Sequence, residues 1–598
     1  MSVGSVAKRW GEALANTLFI SQFALAALLF GGARVAAFGF WLSLAASATV
    51  LYSLRIAASP AIRFFGALIL GAVWSANILV FRYYHLFIDD QLVRTAAHQA
   101  RDVIAVAKLQ VPALAALGFA IFVFMWRLFL RRSLSPHARF PQSFSLAAGV
   151  VFGAAALLIQ SSNYDLAIDI RTARAFAGLR HTESATTTPI MMPPLARNGR
   201  ALPNVLFILT ESVRADSVCS APDEPCVASP EVDRAATDRI ALGTMRSVAS
   251  YTSLAFNALL TGRIQTASKS ELLGSPTLFH AVHALRSVQG APTVAYWSAQ
   301  ARDVFERNDA KGFVDSWVTL ETLLGREVPD EDALIALGLD QKLESYIERN
   351  LHELHAPYFL FAHFAGTHAP YYVNPNDAPF APWGTEVSWG KMAELKNAYL
   401  NAVHEQDKSI AHVIRTFREA QGGPWAIIFT SDHGEAFGEH SAIHHGQNLY
   451  DEQIRVPAWI LTSNDLLSPE QRSALLSVRD QATTHLDLFP TLLDLYGVED
   501  SAALSEIRAT QPGTSLLRRS FTPHPIPITN CTELFPCPLN TWGMLGGEQK
   551  WVAQAWDADF HCMNLRPHEH EDSPEQCRSL RDIGRGVFDR LPNGQRAR

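Results

Sequence analysis

The sequence predicts a protein in two parts. An N-terminal transmembrane domain of five helices is followed by an extracytoplasmic α/β domain with a mostly parallel central sheet. Three observations predict this. The long apolar runs of the 598-residue chain are confined to its first 165 residues. The charge changes sign at the same point, with 13 Lys+Arg against 4 Asp+Glu in residues 1–164 and 37 against 53 beyond. From residue 204 onward, short apolar runs alternate with helix-like segments, the pattern of a sheet covered on both faces. A composition of 48% hydrophobic and 18% charged residues excludes a disordered chain. The absence of a strong basic balance argues against duplex nucleic acid as a partner.

The five expected spans are Ala13–Ala33, Val35–Leu54, Phe64–Phe81, Val111–Trp126 and Phe144–Ser162. Most approach the ~20 residues needed to cross the hydrocarbon layer as helix. A cleaved signal peptide fits the first run poorly, because a second apolar run follows after one Arg. Lys8, Arg9, Arg55, Arg63, Arg127, Arg131, Arg132 and Arg139 fall on one side of five such spans. That bias puts the N-terminus in the cytoplasm and everything after span five outside. Cysteine usage agrees. All six cysteines lie beyond the last span, and an even count in an oxidising compartment reads as disulfides. Proximity pairs Cys219 with Cys226, Cys531 with Cys537, and Cys562 with Cys577. The loop Arg82–Gln110 has helical apolar spacing, which suits an amphipathic surface helix or a packed connector equally.

Four regions follow from this pattern: a transmembrane domain (1–165), a linker (166–203), a catalytic-type domain (204–520) and a disulfide-containing C-terminal subregion (521–598). Strands are expected at Val205–Leu209, Thr293–Trp297, Tyr358–Phe364, Trp425–Phe429 and Val456–Leu461. Helices are expected at Asp340–Leu354, Glu394–Glu419 and Thr483–Tyr496. Ligand sites on such sheets sit beyond the carboxyl ends of the strands.

Chemistry-bearing residues collect at those ends. The first strand runs into Glu211, which reads either as a metal ligand or acid/base group, or as a salt-bridge partner of Arg214. The fourth runs into Asp432-His433-Gly434, an oxygen and a nitrogen donor side by side, both acceptable to zinc. A dense patch follows at His440, His444 and His445. The third strand contains His363 and leads to His368-Ala369-Pro370-Tyr371-Tyr372. Thr252 stands at the start of an apolar helix. It reads as an N-cap or as a hydroxyl nucleophile beside amides that favour an anion.

This set resembles the alkaline phosphatase/sulfatase superfamily. Within it, the likeness is to membrane-anchored phosphoethanolamine transferases, with lipoteichoic acid synthases and other phosphoglycerol transferases as relatives. Counting back from Thr261-Gly262-Arg263, Thr252 falls where sulfatases place the residue matured to formylglycine, and where the transferases use threonine. Glu211, Asp432 and His433 match the transferases' metal ligands. His445, thirteen residues after Asp432, matches a substrate-pocket histidine. His363 and His368 reproduce an H-x-x-x-x-H pair, Lys311-Gly312 with Asp315 is similar to a head-group-pocket stretch, and Asn397-Ala398-Tyr399 through Asp407 resembles a family helix. Thr483 through Leu493 and Gly513 through Leu517 continue the sulfatase-like features. No cysteine flanks Thr252 or Lys311, which departs from the phosphoethanolamine enzymes.

The resemblance implies a membrane-bound phosphotransferase that is metal-dependent, with Zn²⁺ or else Mn²⁺ or another divalent metal. Glu211, Thr252, Asp432 and His433 would hold the metal. Thr252 would take the head group of a phospholipid donor and pass it to an envelope glycolipid or glycan. His363, His368, His445 and Lys311 would bind substrate. The implied location is the bacterial inner membrane, with the catalytic domain in the periplasm. Alternatives are a phosphoglycerol transferase with the same residues, a phosphodiesterase or sulfatase-like hydrolase, and a non-catalytic sensor. Threonine, which cannot mature to formylglycine, argues against a sulfatase.

Overall fold

In the computed structural model the described residues are 192–195 and 201–588, less 224–225, 227, 286–291, 301–309, 327–337, 532–540, 555–556, 558 and 567. Segments of the N-terminal part are also described, chiefly 41–49, 59–84, 115–123, 142–159 and 168–178. The expected span Ala13–Ala33 and nearly all of the loop Arg82–Gln110 lie outside them.

The third expected span is a helix, Pro60–Tyr84. Its segment Pro60–Val80 is long and apolar enough to cross a membrane, and among the described residues it alone meets that condition. Ile62, Phe65, Leu68 and Ile69 on this helix are exposed, as a lipid-facing surface requires. The fifth expected span appears as the helix Gln142–Ile159, whose apolar part, Ala147–Leu158, is shorter. The stretch expected as linker starts instead with a helix, Ile168–Gly178. Asn77 of the long apolar helix donates to its Thr172 hydroxyl at 3.1 Å, deep in the structure.

Sixteen strands are described. In chain order they are β1 (Asn204–Thr210), β2 (Ile240–Ala241), β3 (Thr244–Arg246), β4 (Thr293–Ser298), β5 (Ser316–Val318), β6 (Tyr358–Phe364), β7 (Trp425–Ser431), β8 (Ala436–Phe437), β9 (Ile443–His444), β10 (Ala458–Thr462), β11 (Ala482–Thr484), β12 (Ile526–Thr529), β13 (Thr541–Gly546), β14 (Gln549–Gln554), β15 (His561–Asn564) and β16 (His570–Asp572). Seven form the main sheet in the order β2-β10-β7-β1-β6-β4-β5. All five expected strands are present in it. β7, β1, β6, β4 and β5 are mutually parallel, but β10 runs antiparallel to β7 and β2. The mostly parallel sheet is therefore mixed at one edge. A parallel β10 would need a crossover back to the amino end of the sheet. Residues 432–457 remain instead at the carboxyl end, so the chain can only re-enter the sheet running downward.

Alternation along β1 sorts its side chains between two cores. Leu206 and Ile208 pack with the helices Leu339–Asn350 and Met392–Glu419 on one face. Val205, Phe207 and Leu209 pack with the helices Thr252–Thr261 and Leu488–Leu495 on the other. Phe207 stacks on Phe361 of β6 with centroids 4.9 Å apart. Truncating such a fully buried ring typically costs about 3–5 kcal/mol. The segment expected as a helix over Thr483–Tyr496 opens differently: it begins as β11, passes through a 3-10 turn at His485–Asp487, and becomes helix only at Leu488.

β12–β16 form a separate antiparallel sheet within the C-terminal subregion. The Cys562–Cys577 disulfide staples it to the helix Arg578–Val587, and Cys219–Cys226 closes a loop after β1. Cys531 is also disulfide-bonded; its expected partner, Cys537, lies outside the described residues. Thiol titration of the denatured, unreduced protein should find no free cysteine, and six after reduction. One or more free thiols before reduction would break the predicted pairing.

Candidate active site

The register of the central strands builds the site. Thr210 at the end of β1 lies opposite Ser431 at the end of β7, so Glu211 and Asp432 emerge side by side. Both carboxylates and the His433 ring are fully buried. Glu211 does not pair with Arg214, which instead binds Asp216 (2.7 Å) and Glu439 (2.9 Å). The backbone just after Glu211 is strained: Ser212 sits at φ 59°, a left-handed value that costs a non-glycine residue of order 1–3 kcal/mol. Three groups hold it there. Ser212 N–H donates to Asp432 Oδ1 at 2.9 Å, its carbonyl accepts from Tyr399 Oη at 3.1 Å, and the Thr367 hydroxyl donates to the Glu211 carbonyl. Tyr399 belongs to the long helix Met392–Glu419, which gives that motif a structural role. Gly434 is required by crowding, since a Cβ there would meet the Glu452 carbonyl at 2.3 Å.

Thr252 is not the N-cap. It is the first residue of the helix Thr252–Thr261; Tyr251 holds the cap position and no side chain caps it. The Thr252 hydroxyl turns into the site, 3.1 Å from Glu211 Oε1 and 3.0 Å from His433 Nε2. His433 Nε2 is in turn 3.4 Å from Glu211 Oε1 and 3.2 Å from Asp432 Oδ2.

These separations suit a shared cation. Ligands about 2.0–2.1 Å from a tetrahedral zinc lie roughly 3.3 Å from one another. Asp432 gives the second argument. Its Oδ1 accepts from two backbone N–H groups, while Oδ2, equally buried, has no hydrogen-bond partner. The third is electrostatic. Burial and the Glu211 charge push the Asp432 carboxyl well above its usual range. Burial also acts to raise Glu211, but the neighbouring rings of His363, His433 and His368 outweigh it and hold Glu211 well below. Two buried carboxylates this close cannot both ionise without a positive charge between them. Burial and the His445 charge lower His433 to about 4, so its ring is neutral and able to ligate. The donors fit a divalent metal.

The predicted histidines surround this centre. His363 Nε2 lies 3.8 Å from Glu211 Oε2 and its Nδ1 lies 3.3 Å from the Ser298 hydroxyl. The His445 ring is centred 4.3 Å from that of His433 and 5.3 Å from that of His368. Glu211, His433 and His445 also place one donor atom each close enough to share an ion. Lys311 is not brought into this group. It begins the 3-10 turn Lys311–Phe313 that leads into the amino end of β5, and its ammonium lies 5.2 Å from the Trp317 ring.

Two functional groups escaped the sequence reading. Gln300, two residues past β4, donates to Glu211 Oε2 at 2.9 Å; its residue type carries no signal. Glu435 is fully buried and faces His445 Nδ1 at 3.4 Å and His444 Nδ1 at 3.6 Å. Burial acts to raise it, but the two histidines outweigh burial and bring it to about 2. A carboxylate two residues beyond His433 was the signal that could have found it.

A parallel sheet whose strand ends gather two carboxylates, a histidine and a helix-start hydroxyl defines a hydrolase- or transferase-type metal centre. Residues 203–498 match the model of the sulfatase family, and that segment is a sulfatase-type domain of the alkaline phosphatase/sulfatase superfamily. Its likeness within the superfamily is to phosphoethanolamine transferases. It is 30% identical over 171 residues to the phosphatidylethanolamine transferase Mcr-2 of Escherichia coli, covering 27% of this chain and 30% of that one. It is 28% identical over 172 residues to the phosphoethanolamine transferase EptA of Escherichia coli (strain K12), covering 27% and 31%. The chain thus spans about a third of the length of these relatives. The solved structure of the integral membrane lipooligosaccharide phosphoethanolamine transferase A of Neisseria meningitidis superposes with a TM-score of 0.57 at 16% identity, over 82% of this chain and 95% of that one. That likeness establishes a shared fold.

Two outcomes test the site. Asp432→Asn and His433→Ala should each lower bound metal at least about tenfold by elemental analysis of the purified protein; stoichiometric metal in both would exclude this ligand set. The second test concerns His485, fully buried on the 3-10 turn with neither ring nitrogen hydrogen-bonded and lowered by burial to about 3. A histidine lowered on folding stabilises the protein above its unfolded value, and that stability is lost as pH falls toward the folded one. Stability should therefore fall by about 1.4 kcal/mol per pH unit below ~6.5 from this group alone. His485→Gln should flatten the melting-temperature profile between pH 6 and about 4; an unchanged slope would assign the acid sensitivity elsewhere.

Proposed function

We propose that the protein is a membrane-bound, metal-dependent phosphotransferase. In this reading it moves the phosphoethanolamine head group of a phospholipid through a covalent phosphothreonine at Thr252 to an envelope glycolipid or glycan. The observation that carries the proposal is the placement of the Thr252 hydroxyl. It occupies the start of a helix without capping it and lies 3.0–3.1 Å from His433 and Glu211. The names of the relatives favour phosphoethanolamine over phosphoglycerol as the head group.

Glu211, Asp432 and His433 would hold the metal, with Zn²⁺ best suited to a mixed oxygen and nitrogen set. Such an ion, when bound, supplies positive charge that favours the alkoxide form of Thr252 and offsets charge on the phosphoryl oxygens. Thr252 Oγ1 attacks the phosphodiester phosphorus. The Oγ1–P bond forms, the P–O bond to diacylglycerol breaks, and the glyceryl oxygen takes up a proton. An acceptor hydroxyl then reverses the sequence at the same phosphorus, losing its proton as Oγ1 leaves, in ping-pong order. His445 holds Nδ1 toward Glu435, which leaves Nε2 to give the first proton and to receive the second. His363 and His368 would orient phosphoryl oxygens.

A donor that stays in the bilayer requires a tethered catalyst. The proposal therefore includes the five-span membrane domain in the inner membrane, the periplasmic position of residues 204–520, and the C-terminal subregion 521–598. Lys311, away from the site, is retained only as a remote substrate contact.

Thr252→Ala should reduce head-group transfer by about 10³-fold or more while leaving metal content and melting temperature nearly unchanged. Intact-mass measurement after incubation with phosphatidylethanolamine should show a phosphoethanolamine adduct that maps to Thr252. Free phosphoethanolamine with no adduct would make the protein a hydrolase instead.

A further inference from the structure

The C-terminal sheet reaches the active site through one side chain. Asn530 follows β12 directly and is completely buried. Its Oδ1 accepts from Ser250 N–H at 2.7 Å. Its Nδ2 donates to the Ser250 hydroxyl at 2.8 Å and to the Asn448 carbonyl at 3.3 Å. The Ser250 hydroxyl closes the triangle by donating to the same Asn448 carbonyl at 2.6 Å. Ser250 and Asn448 are as buried as Asn530. One amide is thus tied at both ends, in a closed set of hydrogen bonds that is costly to leave half made.

The two tied loops are the two that face each other across the reaction centre. Ser250 lies two residues before Thr252, and Asn448 three residues after His445. A second link from the same sheet brackets them. Arg246, just before the Thr252 loop, binds Asp451 at 2.7 Å. Asp451 follows the His445 loop and also meets Lys550 of β14 at 3.3 Å. Thr529 N–H, beside Asn530, donates to the Val248 carbonyl at 2.9 Å. Neither Asn530 nor Ser250 touches the reacting groups, so any effect on the chemistry passes through the loops.

We infer that Asn530 is a positioning residue, which sets the placement of Thr252 against His445, so that the end of β12, and not the sheet as a whole, acts on catalysis. The inference rests on the transferase reading above. It predicts a loss in the chemical step with little change in donor affinity, because a misplacement of about 1 Å costs rate up to about 100-fold.

The test uses the full-length protein in detergent micelles containing phosphatidylethanolamine. Single-turnover labelling of Thr252 is followed by intact mass, beside metal content and melting temperature. Asn530→Ala should label about 30-fold more slowly or worse, with half-saturating donor within about twofold of wild type and metal content unchanged. Ser250→Ala, which keeps its peptide N–H on Asn530, should slow labelling about 3–10-fold and decides the matter should Asn530→Ala fail to fold. The paired variant Cys562→Ser/Cys577→Ser loosens the same sheet elsewhere and should lower the melting temperature while labelling at the wild-type rate. Wild-type labelling by the folded Asn530→Ala or Ser250→Ala variants would overturn the inference, as would equal slowing by the disulfide-free control. Wild-type protein that never becomes labelled would overturn the transferase reading itself, and this inference with it.

Discussion

Two carboxylates buried side by side are the constraint around which this domain is organised. The pairing of Thr210 with Ser431 leaves Glu211 and Asp432 no choice but to be neighbours, and no solvent reaches either. Charges so placed are expensive unless paired. The surrounding groups satisfy them unevenly. Glu211 Oε2 receives Gln300 and Asp432 Oδ1 receives two peptide N–H groups. Asp432 Oδ2 receives none. Glu211 Oε1 accepts from the Ser212 and Thr252 hydroxyls, so Asp432 Oδ2, aimed toward His433, is the oxygen left short of a donor, which is how a cation site differs from a salt bridge. Arg214 stands nearby and is diverted to Asp216 and Glu439, so the protein's own cation does not fill the centre.

The second organising feature is the path of the chain after β7. Residues 432–457 stay above the carboxyl ends of the strands and turn through left-handed positions at His440, Ser441 and His444. Strain of this kind persists only where surrounding contacts over-determine it. The contacts are present: His440 stacks on Tyr450 with centroids 3.7 Å apart, and His444 Nδ1 faces Tyr371 Oη at 3.2 Å. The strap so formed carries His445 over His433, with ring centroids 4.3 Å apart. Its return as β10 makes the sheet edge antiparallel, so the mixed topology and the histidine wall have one cause.

What could be read beforehand, and what could not, divides along physical lines. Buried parallel strands are continuous apolar runs, so β1, β4, β6 and β7 were legible with their ends, and with them Glu211, Asp432, His433 and His363. Strand direction leaves no trace in an apolar run, so the reversal of β10 was not. Thr252 was legible only as a choice, because a cap and a nucleophile occupy the same place before a helix. The cap reading falls because Thr252 is the first helical residue, and the groups its hydroxyl faces, Glu211 and His433, lie far away in sequence. The place of Lys311, apart from this group, was not legible for the same reason. A lysine before a glycine in a turn looks alike at either end of a sheet. Gln300 and Asn530 act through amides, whose chemistry is shared with every polar surface, and only their burial and partners distinguish them.

The missing cap at Thr252 carries the argument one step further. A side-chain cap typically stabilises a helix by about 1 kcal/mol, and elsewhere the chain uses it: Ser268 and Ser468 each form a complete capping box. At the Thr252 helix the cap position is Tyr251, with no side-chain acceptor. The first peptide N–H groups of a helix lack intrahelical partners and, with the helix dipole, favour an anion. Leaving them uncapped beside a hydroxyl held by Glu211 and His433 forgoes stability in the free protein. In the transfer proposed above, those donors would serve the oxygens of a phosphoryl group on Thr252. A helix start without a side-chain cap and a carboxylate oxygen without a partner are two faces of one arrangement, and the proposed covalent state at Thr252 would complete what the free protein leaves open.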